Sequence, residues 1–221
     1  MLFPTTCIDN FFDNPKAVRE LAYSLEYSSD PAGNFPGTRT KPLHEVAPEY
    51  NDFFNRKLFS LFYDFKGHQI NWDVQSYFQL IEPYGEDEEL NVGWVHRDSA
   101  TVLAGVVYLN EDASLASGTS LFNPKHIGGI PINNADKQNF YKLNNNISKT
   151  EYIEKRNENN NLFTETVTVG NVYNRLICYD GATYHRANNF NSGTNEPRLT
   201  QVFFVNKVTA DWFPIPSMRF V

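Results

Sequence analysis

The stretch "VGWVHRDSATVLAGVVYLNED", residues 92–112, decides how the chain is read. It holds the tripeptide His96-Arg97-Asp98 and then a run of β-branched and aliphatic residues. A strand turns successive side chains to opposite faces, so an extended reading puts His96 and Asp98 on one side and Val95 and Arg97 on the other. That pair offers an imidazole nitrogen and a carboxylate oxygen to one point in space. A polar strand edge has the same sequence, so the tripeptide needs support from elsewhere in the chain.

Outward from this stretch the period is that of strands. "NWDVQSYFQLIEPY" (71–84) alternates, and 92–110, 162–169, 172–180 and 198–208 are rich in strand formers. Before residue 70 the pattern is helical. In 13–27, Asp13 or Asn14 can cap, Pro15 suits the first turn, and Val18, Leu21, Ala22 and Leu25 recur at helical spacing. In 48–66, Phe54, Leu58, Leu61, Phe62 and Phe65 form one apolar face, with Gly67 as the expected stop. Between them "SSDPAGNFPGTRTKP" (28–42) reads as loop. Helices followed by short strands predict an α+β, mainly β chain: one domain over 1–221, with a helical part at 1–70 and an antiparallel sandwich or barrel over 71–221. A polar insertion at about 123–161 interrupts the strands. Its segment 133–161, rich in Asn, Lys and Glu, reads as a solvated excursion or as a lid over a site.

Composition narrows the classes. With 221 residues the chain can bury a sizeable core, and 18 Phe and 12 Tyr suit a wide sheet interior. The net charge of −7 disfavours nucleic acid and anionic membrane as partners, because such binding rests on Lys and Arg neutralising phosphates. No basic lead, signal-like apolar run or membrane-spanning window is present, and Cys7 and Cys178 make no disulfide pattern. The expectation is a cytoplasmic protein.

The other histidines are His44, His68, His126 and His185. His44 lies in a loop and His68 follows Gly67. His126, in "FNPKHIGG", competes to be a third donor. His185 ends "NRLICYDGATYHRANNF", where a buried strand and an Asp180-Gly181 turn deliver it to the next extended piece. Two histidines and one carboxylate on one face of a metal leave open positions opposite, the arrangement of non-haem iron(II) oxygenases. Beyond them, Arg198, Thr200, Val202 and Phe204 share one strand face, and an arginine at that strand's mouth is placed to grip a carboxylate.

In this order of parts, Tyr77 to Val205 resembles the iron(II)- and 2-oxoglutarate-dependent dioxygenases, and within them the prolyl-4-hydroxylase-like group. The matching pieces are His96-Arg97-Asp98, "GVVYLNED", "SGTSLF", His185 and Arg198. The resemblance implies a double-stranded β-helix (jelly roll) with Fe(II) held by His96, Asp98 and His185. It implies that Arg198 pairs with the distal carboxylate of 2-oxoglutarate and that Tyr108 donates a hydrogen bond to it. It also implies O₂ as co-substrate, ascorbate as an accessory reductant, and hydroxylation of an unactivated C–H bond with release of succinate and CO₂. The substrate class is a protein side chain such as proline or a small amino-acid-like metabolite.

Departures are Ser117-Gly118 in place of a glycine pair and the long excursion. Gln79 or Tyr77 is expected to line the cofactor cavity; Trp94 is assigned to the core. Three rivals remain: a cupin-like metalloprotein or metalloenzyme without 2-oxoglutarate, which leaves Arg198 and Tyr108 unexplained; an AlkB-like demethylase, whose second arginine is missing from "RLTQVFF"; and a non-catalytic jelly-roll module, against which intact His96, Asp98, His185 and Arg198 speak.

Overall fold

A computed structural model of the chain describes residues 3–85, 88–98, 100–126, 135–141 and 147–211. Its spine is β10 (Arg198–Ala210), paired antiparallel with β4 (Ile70–Ile81) on one side and β5 (Leu103–Tyr108) on the other. β8 (Leu176–Asp180) extends the sheet beyond β5. Among the described residues this gives a seven-stranded sheet, β1-β8-β5-β10-β4-β3-β2, opposed by a three-stranded sheet, β7-β6-β9. The small sheet comprises β6 (Thr119–Pro124), β7 (Phe163–Val169) and β9 (Tyr184–Ala187). One bridge between His96 and His185 adds the His96 segment to its open edge. Two antiparallel sheets wound in this way form the jelly roll that the sequence resemblance implied.

Alternation on the central strands sorts the side chains into two interiors. Leu199, Phe203 and Val205 of β10, with Leu103 and Val107 of β5, face the helices. α1 (Pro15–Ser24) and α3 (Pro48–Ser60) supply Val18, Ala22, Phe54, Leu58 and Phe59 to that cluster. Gly105 is needed here, because a Cβ would lie 2.6 Å from the Phe203 ring and 2.3 Å from the Ile177 carbonyl oxygen. The opposite faces place Ala104, Tyr108, Ile177 and Tyr179 against Leu121 and Val169 of the small sheet.

The first seventy residues are not helical alone. β1 (Thr6–Ile8) pairs with β8, and β3 (Thr38–Thr40), flanked by β2 (Tyr27–Ser28), pairs with β4. A short α2 (Leu43–Val46) follows them. Asn14 caps α1 as its position suggested, its Oδ1 accepting from the Ala17 amide at 3.2 Å. α3 stops at Ser60, before Gly67, yet Leu61, Phe62 and Phe65 still pack on the same core.

The polar insertion contributes α4 (Ala135–Tyr141) and α5 (Lys149–Asn160); residues 133, 134 and 142–146 lie outside the described part. In these helices the segment is not purely a solvated excursion. Phe140, Ile147 and Tyr152 are buried with Leu90 and Trp94, and the Phe140 and Tyr152 rings stack at 3.7 Å. Buried Arg156 ties α5 to the chain before His96 by donating to the Glu89 carbonyl. A few aromatics suffice because each buries a large apolar area.

Candidate functional site

The expected strand over 92–110 is broken. His96 sits on an isolated bridge, Ala100 has a φ of 59°, and β5 starts only at Leu103. His96 and Asp98 nevertheless converge. The His96 Nε2 to Asp98 Oδ1 distance is 3.8 Å and the His185 Nε2 to Asp98 Oδ2 distance is 3.5 Å. Donor atoms of the three residues all lie within 4.8 Å of one another. The backbone fixes this proximity: the His96 amide donates to the His185 carbonyl at 3.0 Å, and the His185 amide donates back at 2.8 Å. His126 is exposed at the end of β6, outside this group, as are His44 and His68.

Each ring is oriented by a carbonyl, which can only accept. His96 Nδ1 donates to the Trp94 carbonyl at 2.8 Å and His185 Nδ1 to the Thr183 carbonyl at 3.0 Å. Both Nε2 lone pairs are thereby left for a third body, the tautomer a metal requires. Burial, with Lys137 and His185 nearby, holds His96 well below the usual histidine range, so it is neutral. Asp98 Oδ2 is buried and accepts no hydrogen bond among the described residues. A buried carboxylate oxygen without a donor beside two free imidazole nitrogens fits a divalent ion.

The chain leading to His96 is aligned from two sides: the Gly93 amide donates to the Ala187 carbonyl of β9 at 3.1 Å, and α5 supplies the rest. The Asn160 Oδ1 accepts from the Val95 amide at 2.8 Å, and its Nδ2 donates to the Gly93 carbonyl at 3.0 Å. Asn159 Nδ2 donates to the Val95 carbonyl at 3.0 Å. These side-chain amides pair the Gly93 carbonyl and both backbone groups of Val95, while β9 pairs the Gly93 amide and His96.

The triad opens into a cavity of about 290 Å³ between the sheets. Arg198, Val202 and Phe204 line it from one strand face, as the alternation of β10 predicted. Arg198 is 3% exposed and has no ion-pair partner among the described residues. Its Nε donates to the Ser117 carbonyl at 2.9 Å, which orients the guanidinium. Tyr108 stands behind the wall: its hydroxyl donates to Thr119 Oγ1 at 2.8 Å, and its ring lies 5.6 Å from the Arg198 guanidinium carbon. Thr119 and Tyr179 line the cavity itself.

Gln79 and Trp94 also line the cavity, whereas Tyr77 lies over Arg39. The sequence did not single out Arg39 and Lys137, which enter from β3 and α4. Burial pulls Arg39 down to about 10 and Lys137 down to about 8, with Asp98 opposing both shifts, so both are cations at neutral pH. A β3 of three residues and a lysine in a polar segment carry no pattern that marks either one.

Residues 3–205 match the profile of DUF6445, described as a family of unknown function. The chain belongs to the DUF6445 family. Among curated proteins none matches it. Solved structures of similar fold include the epimerase SnoN in complex with Fe3+, alpha ketoglutarate and nogalamycin RO. Its TM-score is 0.57 at 15% identity, covering 98% of this chain and 85% of that one. HygX from Streptomyces hygroscopicus, with nickel and 2-oxoglutarate bound, gives 0.53 at 13% identity over 91% and 82% of the two chains. EvdO2 from Micromonospora carbonacea var. aurantiaca gives 0.53 at 14%, over 96% and 90%. At such identities the likeness is one of fold, and the chemistry has to be argued from the site.

Proposed function

We propose that this DUF6445 member is an Fe(II)- and 2-oxoglutarate-dependent dioxygenase. Its reaction is hydroxylation of an unactivated C–H bond in a protein side chain or a small amino-acid-like metabolite. The observation that carries the reading is one cavity holding both a convergent His-Asp-His set and a buried arginine without an anion. The like-folded SnoN and HygX structures contain a metal ion together with the keto acid. A cupin-like metal site needs no such arginine.

In this reading His96 Nε2, Asp98 and His185 Nε2 hold iron on one face. Bound iron, with 2-oxoglutarate and O₂, supplies oxidative decarboxylation to succinate and CO₂ coupled to oxygen insertion into a C–H bond. Arg198 presents its outer edge to the distal carboxylate of the keto acid, since its Nε is committed to Ser117. Thr119 offers a hydroxyl at the same wall, and Tyr108 acts through it as a positioning residue. Trp94, Tyr179 and Phe204 present apolar surface to the cavity, which strengthens the polar contacts beside them. Free Cys7 and Cys178 accord with a reducing compartment such as the cytoplasm, where Fe(II) persists and ascorbate is an accessory reductant. Among the described residues no helix is long and apolar enough to cross a membrane.

The test is anaerobic addition of 2-oxoglutarate to the iron-loaded protein. A weak visible charge-transfer band should appear, and succinate should accumulate once air is admitted. Absence of both the band and succinate would refute the assignment; iron binding without a band would favour the cupin-like reading.

A further inference from the structure

The cavity carries more positive charge than the proposed centre uses. A divalent ion and Arg198 on one side balance Asp98 and the two carboxylates of the keto acid on the other. Besides the exposed Arg97, Arg39 and Lys137 are left over, and neither of these two forms an ion pair among the described residues.

Both are built in. Arg39 lies opposite Gln79 in the β3–β4 register, and its Nη2 donates to Gln79 Oε1 at 3.2 Å. Gln79 is locked in turn, its Nε2 donating to the Pro36 carbonyl at 2.7 Å. The guanidinium is flanked by rings, with its central carbon 4.1 Å from the Phe35 centroid, 5.5 Å from Phe204 and 5.6 Å from Tyr77. Its Nε is buried without an acceptor. Lys137 is 8% exposed, lines the same cavity, and has no hydrogen-bond partner among the described residues. Next to it, Gln138 Nε2 donates to Asn34 Oδ1 at 2.8 Å, clasping α4 to the loop that carries Phe35 and Pro36.

Asp98 acts on both cations and Asp30 on Arg39, but neither carboxylate is paired with them directly; a buried cation without a direct partner is costly, and two in one chamber repel each other. The cost is offset when an occupant brings the missing charge. We propose that Arg39 and Lys137 form the subsite for a carboxylate on the primary substrate, which is therefore a small organic acid rather than a neutral molecule. The proposal rests on the dioxygenase reading for what the metal and Arg198 hold. The planar guanidinium edge supplies direction, and the lysine a mobile point charge. A carboxylate held there tethers the acid in the cavity that contains the triad, so recognition and reaction occur in one place.

The test uses full-length protein loaded with zinc, which holds the site without turnover, and saturated with 2-oxoglutarate so that Arg198 is occupied. Acetate, propionate and benzoate are titrated against acetamide, propionamide and benzamide by ligand-observed NMR. At least one acid should bind about tenfold or more tighter than its amide, and R39Q and K137Q should each weaken that acid about fivefold or more. Thermal melting checks that both variants are folded, and R39K should recover part of the loss at Arg39. Acids and amides binding alike, no acid binding, or variants that bind acid like the parent would each overturn the proposal. So would an R39Q protein whose 2-oxoglutarate affinity falls as far as that of R198A, since Arg39 would then belong to the keto-acid subsite. If the parent takes no 2-oxoglutarate at all, the dioxygenase reading fails instead, and the same titration without the keto acid still decides the anion subsite.

Discussion

Replacing Arg198 with alanine should separate keto-acid binding from metal binding. The guanidinium is almost wholly buried, is oriented by the Ser117 carbonyl, and faces the cavity without a carboxylate of the protein's own. Truncation strands the distal carboxylate of 2-oxoglutarate beside the buried Arg198 position, and losing one partner of a buried, hydrogen-bonded charge pair costs about 2–5 kcal/mol. That corresponds to a dissociation constant raised roughly 30-fold to several thousand-fold. The triad is untouched, so Fe(II) affinity should be nearly unchanged. The Ser117 carbonyl loses a donor, which costs about 1–3 kcal/mol of stability and should appear as a lowered Tm in an otherwise folded protein. Arg198→Lys should recover part of the affinity, because the charge survives and the planar fork does not. Anaerobic titration of 2-oxoglutarate into iron-loaded protein, read at the charge-transfer band, measures all of this. An Arg198→Ala protein that binds the keto acid like the parent would remove the reason for assigning that co-substrate.

Alanine at His96, Asp98 or His185 should abolish iron binding at stoichiometric metal and leave the sheets intact, read by metal analysis beside circular dichroism; retained iron after His185→Ala would return His126 to consideration. Tyr108→Phe should weaken 2-oxoglutarate less than Arg198→Ala, by up to about 1 kcal/mol, because it frees Thr119 rather than removing a direct contact. Asn160→Ala should lower iron affinity although Asn160 touches no ligand atom, since it unpairs the Gly93 carbonyl and Val95 amide just before His96; unchanged affinity would mean that Asn159 and the bonds of Gly93 and His96 to β9 suffice to align that segment. Gly105→Ala should destabilise by about 1–3 kcal/mol or more through overpacking against Phe203 and Ile177, measured by urea unfolding.

Much of the site was legible because it lies on strands, where a period of two fixes which residues share a face. Arg198, Val202 and Phe204 line the cavity together for that reason, and His185 follows the Asp180-Gly181 turn into β9. His96 and Asp98 came together although the strand expected to hold them is absent. The chain turns at Ala100, and one bridge to His185 supplies the alignment that a ladder was expected to give. Arg39 and Lys137 were not legible. Their importance lies in which residues face them across space, and neither a three-residue strand nor one lysine among polar neighbours encodes that.

The excursion shows the same limit from the other side. Its low apolar content reads as surface, yet Tyr152 and Arg156 are fully buried, and its asparagines do what an aliphatic helix cannot. Residues 93–95 carry backbone donors and acceptors that a complete small sheet would pair, and buried groups of that kind must find partners. Asn159 and Asn160 provide both a carbonyl and amides from a helix end, in the pattern of a strand edge. The polar composition is therefore part of what places the first imidazole. The helix that brings Lys137 packs on α5 through Phe140 and Tyr152, so alignment of His96 and presentation of the lysine share one support. A change that loosens α5 should consequently disturb metal and anion binding together, whereas one at Arg39 should disturb anion binding alone.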